Sequence, residues 1–318
     1  MSDRSAIVSR HGSASSRLGI CARRYFPPIL LLLGICLCII AFVKLIRQPT
    51  VALHATAATF ALASIGAAAS LWLSAVAWQG FLSLFAGARI TLGEALAQNG
   101  LVLIGKYVPG KIAGLAARIV VNASSRASQV TVATVVETLG TAASAVTVGS
   151  VLYVANYSLL ASLCLICTGV GAWWFSPSLV SFALPLLGRL SSRLRGVAPD
   201  FGPNQHVLLR RALLIQGLQW IMLSLVVVAV ATIIAPSASA SVLLKLAGSY
   251  GLAVALGAAA IVFPGGIGPR EGAFVWLAHG VVGIPEALAM ALCLRIVTTL
   301  IDIAGAACWI AHRSLRRV

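Results

Sequence analysis

Apolar runs longer than a membrane is thick constrain this chain more than any other feature. Residues 27–46, 51–86, 128–153, 157–175, 212–235, 242–262 and 285–311 are each dominated by Leu, Ile, Val, Ala and Gly. About 20 apolar residues in a helix cross the ~30 Å hydrocarbon core of a bilayer. Only 9% of the 318 residues are charged, against about 25% in soluble domains. A transmembrane barrel would alternate apolar and polar residues in short segments, and these runs do not. The expected fold class is all-α: a polytopic helical membrane protein of about eight transmembrane helices. The eighth is residues 270–283.

The chain carries 23 Lys and Arg against 7 Asp and Glu, a formal net charge of +16. In a soluble protein that balance would suggest nucleic acid. Here the charges flank the apolar runs, at Arg4 to Arg24, Arg189 to Arg211 and Arg313 to Arg317. Basic residues next to short loops stay on the cytoplasmic side. Both termini are therefore expected in the cytoplasm of a bacterial-type inner membrane, with no nucleic-acid partner. Residues 1–26 read as a basic, flexible N-terminus and 27–312 as one transmembrane domain. Residues 313–318 read as a basic tail. Loop 178–211 is the candidate junction between two halves, opening on a short amphipathic piece near Leu184 to Leu190. Cys164 and Cys167 form a CxxC inside an apolar run with no second ligand pair, and the five His show no ligand spacing. No metal site or cofactor is expected.

Two stretches interrupt this pattern. Residues 105–111 read Gly-Lys-Tyr-Val-Pro-Gly-Lys, and residues 263–272 read Phe-Pro-Gly-Gly-Ile-Gly-Pro-Arg-Glu-Gly. Neither can continue a helix. Broken backbone at membrane depth is tolerated only where protein buries it or a wet cavity faces it. A helix restarting after each break directs unpaired N–H groups and a positive dipole end into it. Lys106, Lys111 and Arg118 surround the first break and Arg270 the second. They suit an anionic head group or phosphate. Two plainer readings stand beside this one: the lysines snorkel to the interface, and Arg270 and Glu271 pair merely to cap the helix begun by Pro269.

Polar stripes mark two spans. Thr134, Glu137, Thr138, Thr141 and Ser144 share a helix face, as do Arg295, Thr298, Thr299 and Asp302. Ser and Thr can bond their own helix carbonyls. Glu137, Arg295 and Asp302 cannot, and each costs about 2.5–3.5 kcal/mol at the bilayer centre. They are expected as buried charge pairs or a proton relay, with Arg295 and Asp302 joined through an intermediate group, or as structural pairs only. A break followed about 30 residues later by a buried acid occurs in both halves, the layout of a transporter site between repeats.

The two breaks resemble the paired signatures K-Y-[IV]-P-G-K and P-G-G-[IL]-G-x-R-E-G of the flippase-like membrane domain of lysylphosphatidylglycerol synthases. Thr134-Val135-Val136-Glu137 is similar to a third pattern of that family, [ST]-V-x-x-E. The resemblance covers most of residues 25–312. It implies movement of lipids with polar head groups between leaflets, and not the synthase reaction, which belongs to a separate cytosolic domain. Residues at the motif positions would line the substrate site: Lys106, Tyr107, Pro109, Gly110, Lys111, Pro264, Gly265, Gly266, Arg270 and Glu271, with Arg118 nearby. The expectation is a lipid flippase or scramblase-like transporter, not an enzyme, with membrane lipids as partners. The alternative is a non-transporting subunit that supports a lipid-modifying enzyme.

Overall fold

The computed structural model describes residues 54–106, 112–155, 157–190, 202–260 and 263–315. The basic N-terminus, the expected helix at 27–46, and Tyr107, Pro109, Gly110 and Lys111 lie outside the described residues. All regular structure among the described residues is helical. Five helices are long and apolar enough to cross a membrane: α1 (Ala57–Ala86), α4 (Ala127–Val154), α7 (Pro203–Ile234), α8 (Ala240–Ala259) and α10 (Ile284–Leu315). Between them lie α2 (Leu92–Gly105), α3 (Ile112–Val121), α5 (Leu159–Trp174), α6 (Ser176–Leu190) and α9 (Pro269–Ala278).

The described residues thus hold five spans, or six if α5 and α6 are one span bent by 62°. Two of the expected crossings change. The segment at 270–283 becomes α9, whose 10 residues reach only about 15 Å. The segment at 157–175 ends at the elbow between α5 and α6. The expected loop at 178–211 is helical at both ends. α6 continues through Pro185 to Leu190, and α7 starts at Pro203. Gly202 and Pro203 signal a helix start as well as a loop, because proline at the first helical position loses no bond. Gln205 Oε1 accepts from the Gly202 N–H at 3.0 Å and closes the turn.

α1 runs unbroken for 30 residues, with no bend near Trp72 to Trp78. It packs antiparallel to α7: His54 N–H bonds Ile233 O at 2.8 Å at one end, and Gly80 meets Ala212 at the other. Two apolar cores result. One gathers the inner half of α7 with α8, α9 and α10 around Leu246, Phe274 and Met290. The other gathers α1, α2, α4 and the start of α7 around Trp78, Phe81 and Leu209. On the interior face of α7, the buried Gln216 and Trp220 separate them.

The breaks become hairpin tips. α2 and α3 fold back on one another, as do α8 and α9, while α2 also packs along α10. In the second hairpin Gly265, Gly266 and Gly268 take φ of 59°, 68° and 92°, left-handed values costly for other residues. Gly257 of α8 lets α9 approach: a Cβ there would sit 2.8 Å from Arg270 Cβ.

Candidate functional site

The two hairpin tips touch. Gly265 N–H donates to Lys106 O at 2.8 Å, joining the first break to the second through main chain alone. Lys106 Nζ lies 2.7 Å from each carboxylate oxygen of the buried Asp302 on α10. The lysine therefore turns inward to an acid rather than snorkelling outward, although its side chain stays 29% exposed. Asp302 draws this partner from 196 residues away in sequence.

Arg295 reaches the second break instead. Its Nη1 lies 3.2 Å from Gly265 O and 3.5 Å from Glu271 Oε1. Arg270, in the first turn of α9, donates to the same Glu271 oxygen from Nε at 3.3 Å and from Nη2 at 3.2 Å. Its Nη2 also stands 3.5 Å from Thr298 Oγ1 on α10, and its guanidinium lies 5.8 Å from the centre of the Tyr250 ring. Glu271 caps α9 as the sequence suggests, its Oε2 accepting from Gly268 N–H at 2.8 Å. Its other oxygen serves two arginines. Arg270 and Arg295 both lie within electrostatic reach of Lys106. One interior site thus collects Lys106, Arg270 and Arg295 with Glu271 and Asp302, three cations against two acids. Pro264, Gly265 and Gly266 supply its single helical turn of backbone.

Beside it, α9 and α10 enclose an open cavity of about 510 Å³. Its inner end is Glu271 and Gly272, and its walls include Val275, Trp276 and Leu288. A mostly apolar cleft with charge at one end fits an amphiphile.

Arg118 does not join this site. At the far end of α3 it makes two contacts with Glu137 of α4, from Nη1 to Oε2 and from Nη2 to Oε1. Nη2 also donates to Asn99 Oδ1 at 2.6 Å, and the guanidinium lies 3.5 Å from the centre of the Trp78 ring. Asn99 donates to Ser74 Oγ at 2.9 Å, Trp78 Nε1 to Gln98 Oε1 at 2.8 Å, and Asn122 to Gln98 at 2.9 Å. Gln216 Nε2 closes the group on Glu137 O at 2.9 Å and Thr141 Oγ1 at 2.7 Å. The other stripe threonines, Thr134 and Thr138, bond carbonyls of their own helix.

Sequence reasoning passed over Trp78, Gln98, Asn99, Asn122 and Gln216. The available signal was energetic. Two adjacent amides in the short apolar helix α2 need partners in a low-dielectric interior. Asn122 stands one turn after Arg118, on the same face.

Comparison of the chain with protein-family models, curated proteins and solved structures returned no match. The functional reading rests on the geometry and on the two motifs.

Proposed function

We propose that this chain moves a lipid with a polar head group between membrane leaflets, as a flippase or scramblase-like transporter. The observation that carries the reading is the meeting of two interrupted helices around five charged side chains, next to an apolar cleft. The cleft would take the upper part of the tails. Arg270, Arg295 and Lys106 would bind the anionic part of the head group in exchange for Glu271 and Asp302. The acids would then hold the cations between passages, so that the site is never left with bare buried charge. A complete span set would number about eight, with both termini on the cytoplasmic side marked by the basic clusters. Discontinuous helices at a repeat interface are the arrangement by which many transporters bind substrate at mid-membrane.

The test is leaflet exchange of fluorescent lipids in proteoliposomes. Wild type is compared with Arg270→Ala and Asp302→Asn, each checked for folding by size-exclusion profile. Exchange is expected to fall at least about tenfold in both variants, the loss of about 1.4 kcal/mol of head-group interaction. Equal exchange in all three proteins overturns the reading and leaves a non-transporting membrane subunit.

A further inference from the structure

A second cavity lies away from the breaks, on the flank formed by α4, α5, α6 and α7. It is a groove of about 380 Å³. Small residues open it, among them Gly140 and Ala143 on α4 and Gly169 and Ala172 on α5. Its α4 wall, from Val136 to Thr147, is about 16 Å long at 1.5 Å per residue. α4 and α7 are both long and apolar enough to cross a membrane.

Two further observations say what fills it. The groove is lined by Ser176, whose residue is only 5% exposed and whose Oγ has no hydrogen-bond partner among the described residues. A buried hydroxyl left unpaired costs about 1–3 kcal/mol, so a ligand acceptor or donor there is favoured. Ser176 stands at the elbow directly after Trp173-Trp174-Phe175, an aromatic sequence typical of the membrane interface. Arg210, one turn before the groove-lining Leu213 on α7, packs against these tryptophans. Trp173 Nε1 donates to Arg210 O at 2.7 Å, and Arg210 Nη2 donates to Trp174 O at 2.8 Å while its guanidinium stacks 4.2 Å from the centre of the Trp174 ring. The exposed Arg211 follows it.

We infer that this groove is a binding site for an anionic glycerophospholipid, separate from the candidate transport site. One acyl chain lies in the groove towards Thr147 and Gly169. Ser176 Oγ donates to an ester carbonyl. Arg210 and Arg211 face the phosphate at the interface. The bound lipid braces the 62° elbow.

Native mass spectrometry of the full chain released from detergent tests this. The probes are phosphatidylglycerol and phosphatidylcholine with identical acyl chains. Wild type is expected to retain phosphatidylglycerol on the order of tenfold better, from two arginines at a membrane surface. Arg210→Gln with Arg211→Gln should abolish that preference. Because Arg210 also bonds Trp174, the decisive variant is Ala172→Phe, which fills the groove from an exposed position. It should fold and lose retained lipid of both kinds while keeping the basic pair. Equal retention of the two lipids by wild type overturns the inference, as does retention of phosphatidylglycerol by Ala172→Phe at the wild-type level. A dimer present in wild type and absent in Ala172→Phe overturns it too, by assigning the groove to a second copy of the chain.

Discussion

The Arg118 cluster and the cluster at the breaks are both built from ion pairs inside a membrane fold, yet they are built to different ends. Arg118 is 1% exposed, grips both oxygens of Glu137, and is held on a second side by Asn99 and on its face by Trp78. Its partners come from α1, α2, α4 and, through Glu137, α7. At the breaks the arginine contacts to Glu271 run from 3.2 to 3.5 Å, one carboxylate oxygen is shared by two guanidiniums, and Lys106 and Glu271 keep side-chain exposures of 29% and 18%. A charge pair that is bidentate and shut away from water is costly to open, because opening strands both ions in a low dielectric. An acid shared between two arginines, as Glu271 is, and a lysine left partly exposed, as Lys106 is, can trade partners. The first arrangement fastens α3 to the scaffold. The second leaves cations at the hairpin tips available for exchange. Charge buried in a membrane is therefore not by itself a mark of the binding site. Exposure of the pair and the sharing of its acid separate the two roles.

That contrast can be broken by mutation. Arg118→Ala is expected to give the largest effect, about 3–5 kcal/mol of stability, since it leaves Glu137 buried without its partner. Thermal unfolding in detergent measures it, and a loss below about 1 kcal/mol would show that the cluster is no strut. Replacing both members, Arg118→Met with Glu137→Leu, should recover most of that loss, because an apolar pair of similar volume is often neutral. Next in size, Arg295→Ala should lower stability less than Arg118→Ala does, because Arg270 still holds the Glu271 oxygen that the two arginines share, while leaflet exchange falls at least about tenfold. If stability and exchange fell together there as they should for Arg118→Ala, the two clusters would be the same kind of object. The smallest effect belongs to Thr298→Val. Its contact with Arg270 is at the 3.5 Å limit, so under about 0.5 kcal/mol is expected in unfolding experiments.

Local grammar carried much of the fold. Thr91 and Glu94 announce α2 as a capping pair, and they bond each other's backbone at 3.2 and 2.7 Å. Pro269 and Glu271 announce α9 in the same way. The two Gly/Pro breaks were legible because a chain in hydrocarbon cannot leave its backbone unpaired without a reason. Pairing was not legible. Nothing local in Asp302 indicates Lys106, and Arg118 looked like part of the first break because it is near in sequence. The 10 residues of α3 carry it away from the tip. One expected crossing, 270–283, proved too short for a related reason. Hydropathy marks α9 as apolar, but only its length, set by Gly268 before it and the turn after His279, decides whether it can cross. Arg210 and Arg211 looked like loop residues, whereas α7 carries both and sets Arg210 against Trp174.

The bond from Gly265 N–H to Lys106 O has a further consequence. It joins the hairpins through peptide groups, so no exchange of side chains other than for proline can delete it. The five charged side chains around it are free to vary without unfastening the joint. A protein built this way can change what its pocket recognises and keep how the pocket closes, since recognition is written in side chains and closure in backbone.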